Sequence, residues 1–481
     1  MIDFKKASEI ALNSAKSKGA SYSDIRIVDI EDENISVKNG AAELIEKNNS
    51  FGFGIRAIAD GAWGFASSAD LNEDNLKKTA DLAVKIAIAS SKLKKNDLVL
   101  APVTRSIDSY KNPVQIDPFT IPLNEKLDYL LALDQLLRKT EGITTATAFM
   151  DFRIEHKFFS SSEGSQIEQT IIQSGAGIEA TAMKSRREMG KRSYPDSNGQ
   201  YESKGYELIK ELNFEENCEK TSQQAVAILS AKECPSGTKT LVLNGPQLSL
   251  QIHESIGHPL ELDRVLGAEK NFSGTSFATL DKLNKLKYGA DIVNVVTDPT
   301  YPGGLGSFGY DDEGVKAERK ELIKNGLLVG YLTSRETAPL IKILSNGSMR
   351  ADGWGNIPII RMTNTILLPG NYNFEDLISE VEDGIYVETV SSWSIDDNRE
   401  NFQMGCQIGW EIKNGKLGEM IKNPTYSGNT VEFWNSCDGI CSEKYFKVWG
   451  TPNCGKGQPG QNARTGQGCS PARFRNVKVG S

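Results

Sequence analysis

Several things are scarce in this 481-residue chain, and each scarcity removes a class of protein. Cysteine occurs seven times, an odd and thinly spread number. That argues against a secreted disulfide scaffold and for a reducing, cytoplasmic setting. No stretch approaches the ~18 consecutive apolar residues of a membrane-spanning helix, so no membrane association is expected. A basic run is also missing: 55 Lys and Arg face 63 Asp and Glu, for a net charge of −8. The electrostatic footprint of a nucleic-acid binder is therefore absent. The opening MIDFKKASEI carries lysines but no apolar segment after them, which predicts no signal peptide. Histidine occurs three times, at 156, 253 and 258. Two of the three stand five residues apart.

What is present is ordinary globular material, with 38% hydrophobic and 25% charged residues. The length suggests two or three domains' worth of core. Asp3 can cap a helix whose face is Phe4, Ala7, Ala11 and Ala15, and which stops at Gly19. Strands around Ile25 and over 51–59 surround Asn39-Gly40, a strong hairpin turn. A helix follows over 74–92, then a proline-bearing connector without regular structure over 96–123. A similar order recurs: a helix over 125–139, a strand over 144–160, two more strands over 166–183, and a helix over 206–231 interrupted near Asn213. The likeness of FGFGIRAIADG to QSGAGIEATAM hints at an internal duplication.

The predicted fold class is α+β. An N-terminal domain, residues 1–231, holds an antiparallel sheet with packed helices. The turn-rich KECPSGT marks a boundary, and residues 239–481 form a C-terminal domain of mainly antiparallel strands. Those strands are expected at 240–244, 292–296, 321–332, 359–368, 384–390, 402–413, 431–435 and 474–479. One helix, predicted over 247–257, interrupts them early and carries the histidines.

That helix reads QLSLQIHESIG, and His258 follows it. The familiar zinc-peptidase spacing is H-E-x-x-H, because residues four apart share a helical face. At five apart and ~100° per residue, two side chains diverge by about 140°. A single π-turn would bring them back to one face. Alternatively, Gly257 and Pro259 could unwind the helix end and swing His258 round. Two imidazoles and a third ligand would hold zinc and leave room for water, whose proton Glu254 could take. The string alone serves two ordinary histidines equally well. A third ligand would be a carboxylate or one of the cysteines, of which Cys454 stands out because TPNCGKGQPGQ reads as a glycine-rich loop where backbone can approach a metal closely.

HESIGHPLELDRVLG at 253–267, DDEG at 311–314 and FWNSCDGICSEKYFKVWGTPNCGKGQPGQ at 433–461 resemble the TldD branch of the TldD/PmbA (TldE) family. GASYSDIRI, GFGIRAIADGAWGFA and SPARFRNVKVG fit as well, so the resemblance spans nearly the whole chain. It implies a cytoplasmic zinc metallopeptidase, of a kind long labelled modulator of DNA gyrase, that trims short or unfolded peptides. It also implies zinc on His253, His258 and Cys454, with Glu254 as general base. The substrate would be bound extended, as an added β-strand in a chamber between subunits. The partner would be a PmbA/TldE-like chain lacking the H-E-x-x-x-H residues, or a second copy.

Other features read more plainly. GFGIR lacks the third glycine of a dinucleotide fingerprint, and DDEG lacks the alternating ligands of a cation loop. His156 reads as a surface or half-buried strand residue. Glu261, Asp263 and Arg264 are either supports for the histidines or a solvated turn. Two further functions compete: a non-catalytic interaction or regulatory subunit with a vestigial metal site, and an unrelated H-E-x-x-G-H peptidase of the dipeptidyl peptidase III kind. A carboxylate as third ligand would favour the latter.

Overall fold

The computed structural model describes residues 3–185, 188–457 and 459–480. Helix α1 (Phe4–Ser17) leads into the long strands β1 (Tyr22–Lys38) and β2 (Ala41–Ala59), then β3 (Ala62–Ser68) and α2 (Glu73–Ser91). Strand β4 (Ile107–Lys111) and α3 (Leu123–Leu137) precede β5 (Ile143–Ser161), β6 (Gln166–Ser185), β7 (Glu188–Tyr194) and β8 (Gln200–Glu202). Helices α4 (Glu207–Glu211) and α5 (Phe214–Ile228) complete this part. The strands form one sheet in the order β3-β2-β1-β5-β6-β4, with β7 and β8 also paired to β6. Asn39 and Gly40 both take positive φ, 50° and 82°, as a tight right-twisting hairpin requires.

Small side chains let the helices approach the sheet closely. Ala7, Ala11, Ala15, Ala80, Ala83 and Ala87 lie against Ile25, Phe53 and Ile55. The suspected duplication has a physical echo. A Cβ on Gly64 of β3 would sit 2.0 Å from the Ala83 carbonyl of α2, and one on Gly190 of β7 would sit 2.0 Å from the Ala225 carbonyl of α5. Each unit thus lays a helix directly on a glycine of its outer strand.

The chain continues with β9 (Lys232–Glu233), β10 (Gly237–Leu243), α6 (Gly245–Ile252) and α7 (Leu262–Val265). Strands β11 (Val295–Thr297), β12 (Lys320–Lys324) and β13 (Leu327–Leu328) follow, then β14 (Met349–Arg350), β15 (Ile359–Ile360) and β16 (Asn364–Leu367). Next come α8 (Phe374–Ser379), β17 (Asp383–Ile395), β18 (Asn401–Lys413), β19 (Lys416–Lys422) and β20 (Thr425–Asn429). Helix α9 (Thr430–Asn435), β21 (Cys437–Ile440), β22 (Lys447–Lys456), β23 (Gln461–Cys469) and β24 (Ala472–Val479) end it. Strands β17-β10-β24-β20-β18 follow one another, and β18 pairs back onto β17, closing a barrel. A second sheet runs β13-β12-β11-β16-β23-β22. Helix α6 packs between β17 of the barrel and the β22–β23 hairpin. Buried ion pairs, Arg56–Glu313 at 3.2 Å and Arg26–Asp312 at 3.8 Å, join the first sheet to this half.

The class expected from sequence, α+β with mainly antiparallel sheets, is the one observed, and four local expectations are corrected. Residues 166–185 form one strand, not two, because Gly175 and Gly177 admit the rings of Tyr201 and Phe149 instead of turning the chain. The 96–123 connector contains β4, paired in parallel with β6. Residues 431–435 lie in a helix, because the Asn429 side chain accepts the Val431 and Glu432 amides and starts a turn that overrides strand propensity. Finally, Cys454 lies on a strand, β22, and not in a loop.

Candidate metal centre

Asn244 caps α6 by accepting the Gly245 amide, and Pro246 sits in the first turn where no N–H is needed. At His253 the helix widens into a π-turn over His253–Gly257, and the His258 amide donates to the His253 carbonyl five residues back. Of the two devices legible in the sequence, the π-turn is the one used. His258 keeps helical angles, φ −62° and ψ −42°, and does not swing out. Its two neighbours still matter. A Cβ on Gly257 would meet Met362 Sδ at 2.0 Å. Pro259 cannot donate to the Ser255 carbonyl, and the Tyr288 hydroxyl donates there instead, at 2.5 Å. The His253 and His258 rings end 4.8 Å apart at 88°.

Strand β22 brings in the sulfur. Its register with β23 slips between Thr451 and Cys454, and Arg361 donates to the Cys454 carbonyl. Cys454 Sγ lies 3.2 Å from His253 Nε2 and 3.6 Å from His258 Nε2. All three residues are buried, and their ligand atoms lie within 4.8 Å of one another. Burial alone raises the Cys454 thiol, but the His258 ring and the Arg361 guanidinium outweigh it and hold its pKa below the ordinary thiol value. Burial likewise pushes His253 below the usual imidazole range, against the neighbouring Glu254 carboxylate. His253 Nδ1 has no hydrogen-bond partner among the described residues, although Gln467 is adjacent.

The carboxylate of Glu261, 0% exposed, organises the back of this cluster. Its Oε2 lies 3.0 Å from His258 Nδ1, which leaves Nε2 facing the sulfur. Lys456 Nζ at 3.4 Å, Arg264 Nε at 3.3 Å and Arg361 Nε at 4.0 Å surround it. Burial opposes its ionisation, yet Lys456 and His258 overcome that cost and hold the carboxyl well below the usual range. The Glu261 carboxylate meets Nδ1, while the group that lies near both Nε2 atoms is the Cys454 thiol. Lys456, two residues beyond Cys454, also reaches Asp263 at 2.7 Å, tying the cysteine strand to the segment after the histidines.

Glu254 faces a cavity of about 640 Å³ that His253, His258 and Cys454 also line. Arg399 donates to its Oε2 at 3.0 Å. Residues 390–395 of β17 and 449–455 of β22 form walls of the cavity. Strand β17 pairs with β10 only over Gly384–Val387, and β22 is the last strand of its sheet. Both therefore bring strand edge to the cavity. His156 is remote from it, its Nδ1 2.9 Å from Thr170 Oγ1 on the paired strand. DDEG is a buried turn in which Asp311 accepts the Glu313 and Val315 amides. The other six cysteines are free, and no four-cysteine cluster occurs among the described residues.

In the sequence Glu261 reads equally as a support for the histidines or a solvated turn, and Arg361, Lys456 and Arg399 carry no signal. A carboxylate three residues after His258 was the one local signal. The other three come from distant segments and leave no spacing to read.

Comparison with known proteins defines the class. A metalloprotease of Methanocaldococcus jannaschii is 30% identical over 448 residues, covering 93% of this chain and 94% of its own length. A zinc metalloprotease, a TldD homolog of Saccharolobus solfataricus, is 23% identical over 476 residues, 98% of each chain. Family models described as PmbA/TldA metallopeptidase domain 1, central domain and C-terminal domain match residues 23–87, 116–230 and 236–481. The chain belongs to the PmbA/TldD family of metallopeptidases. Two solved structures share its fold. A candidate DNA gyrase modulator of Thermotoga maritima has a TM-score of 0.78 at 19% identity, covering 99% of this chain and 100% of that one. TldE of Thermococcus kodakarensis has a TM-score of 0.73 at 17% identity, again covering 99% and 100%.

Proposed function

We propose that this chain is a zinc-dependent peptidase of short or unfolded peptides, with His253, His258 and Cys454 as metal ligands and Glu254 as general base. The observation that carries the reading is the convergence of one thiol sulfur on two imidazole Nε2 atoms, 3.2 and 3.6 Å away, at the wall of a cavity. The donor set suits zinc: two nitrogens and a sulfur held in the thiolate-favouring direction, with a carboxylate fixing one imidazole tautomer from behind. When bound there, zinc supplies Lewis acidity toward a peptide carbonyl and acidifies a water.

The chain's own groups do the rest. Arg399 engages Oε2 of Glu254 and not Oε1, so Oε1 takes the proton and returns it to the departing amine. The β17 and β22 edges offer main-chain hydrogen bonds to an extended peptide, a mode of binding that tolerates many sequences. The same reading makes the protein cytoplasmic and pairs it with a TldE-like chain or a second copy.

Peptide hydrolysis with and without chelator, beside zinc analysis of the purified protein, tests the proposal. Glu254→Gln is expected to keep its zinc and lose about 100-fold or more in rate. Cys454→Ala should lose most of its zinc while keeping a native circular dichroism spectrum. A Glu254→Gln enzyme as active as wild type would remove Glu254 as general base, a parent chain without chelator-sensitive hydrolysis would leave the non-catalytic subunit as the better account, and undiminished zinc in Cys454→Ala would remove that residue as a ligand.

A further inference from the structure

Arg399 occupies its position against three separate costs. It lies in the turn from β17 to β18 with φ 62°, a left-handed conformation ordinarily left to Gly, Asn or Asp. The turn is locked around it: the Asp396 carboxylate accepts the Glu400 amide at 2.8 Å and the Asn401 amide at 3.1 Å, and Thr430 Oγ1 donates to the Arg399 carbonyl at 2.9 Å. The side chain is only 13% exposed, so the guanidinium is largely desolvated. Its Nε is buried with no hydrogen-bond partner among the described residues.

Little offsets these costs apart from Glu254. Nη2 reaches the Ser273 carbonyl at a long 3.3 Å, and Nη1 donates to Glu254 Oε2 at 3.0 Å. Among the described residues Glu254 is the one carboxylate within ion-pair distance of Arg399. The nearby Arg264 is different, being compensated by Glu261 and held by both oxygens of Ser273. Strain and unmet polar groups that persist in a cavity wall mark positions kept for function and not for stability.

We infer that Arg399 is a positioning residue for the proton-transfer step: by taking Oε2 it turns Glu254 so that Oε1 is presented to the reacting side of the cavity. The inference rests on the reading of Glu254 as general base. A carboxylate on a freely rotating side chain samples many orientations, and fixing one oxygen removes that search. Arg399 touches neither the candidate ligands nor, on this account, the peptide, so it should leave zinc content and peptide affinity alone.

The test uses the full-length protein carrying Arg399→Met, which keeps the aliphatic stem, and Arg399→Lys, which restores the charge. Each is also combined with Glu254→Gln. Arg399→Met is expected to lower kcat by about 100-fold, with native zinc content. KM, and the affinity of chelated protein for the same peptide, should stay within about twofold of wild type. Arg399→Lys should recover part of kcat. In the Glu254→Gln background, Arg399→Met should lower the residual rate no further, because its whole effect passes through that carboxylate. An equal loss in both backgrounds would overturn the inference, as would a loss of peptide affinity in chelated protein. If Arg399→Met fails to fold, the Lys variant alone decides: native stability with no dependence of its effect on Glu254 sinks the idea. A fully active Glu254→Gln would instead strike the general-base reading, so the two failures are separable.

Discussion

Removing the charge of Glu261 should weaken metal binding without touching a ligand. Its Oε2 is 3.0 Å from His258 Nδ1, and it is the buried anion that Lys456, Arg264 and Arg361 surround. Glu261→Gln keeps an acceptor oxygen, so the tautomer that directs Nε2 to the site survives. The negative charge behind the imidazole, which favours a bound cation, does not. Of the three cations behind the site, Arg264 and Arg361 then lose their carboxylate while Lys456 keeps Asp263, and the excess positive charge opposes a divalent ion. Loss of a carboxylate partner behind a metal-bound histidine typically costs about 10- to 100-fold in affinity. That corresponds to about 1.4–2.7 kcal/mol. Gln belongs at the lower end and Glu261→Ala, which also frees the ring to rotate, at the upper. The assay is zinc competition against a chromogenic chelator at neutral pH, where the depressed pKa keeps Glu261 ionised in the parent. Thermal melts in chelator separate this effect from unfolding, since breaking a buried ion pair can itself cost about 3–5 kcal/mol. Zinc affinity within twofold of wild type in folded forms of both variants would refute the reasoning.

The π-turn offers a second handle: Gly257→Ala places a Cβ 2.0 Å from Sδ of the fully buried Met362, an overpacking worth about 1–3 kcal/mol. Its melting temperature and zinc affinity should both fall, and a combined Met362→Ala should restore part of each. Protonation supplies a third test. The folded pKa of His253 lies below its ordinary 6.5, so the unfolded chain binds more protons between the two values. The stability of metal-free protein should therefore hold above about pH 7 and fall as pH drops through that window. His253→Asn should flatten this slope in melts recorded from pH 7.5 to 5; an unchanged slope would mean that other groups carry it.

The features readable before folding are those written in local period and local chemistry. Asp3 and the alanine face of 4–17, the Asn39-Gly40 hairpin and the interruption at Asn213 all appear where their residue types require them. HESIGH belongs with them, because an i to i+5 contact is made within one turn of chain, and the irregular helix it demands is present. Cys454 is different in kind. Its sulfur meets His253 across 201 residues, and composition alone describes its surroundings as a loop. Resemblance to a family pointed to it; periodicity did not. Its strand acquires a partner, a register slip and an aim only when β22 lies along β23 beside α6, and no nearby residue encodes that.

The same holds for Glu261, whose neighbours say carboxylate but not which imidazole nitrogen it meets, and for Arg361, Lys456 and Arg399. Charged side chains have no period to betray them. Their roles follow from which atoms are brought within 3 or 4 Å after water has been excluded. A backbone's local shape costs and gains its free energy within a few residues, so a string of letters can announce it. A site assembled from a helix end, a strand and a turn spread over 201 positions owes its geometry to barrel closure and sheet packing, and becomes visible only in the folded chain.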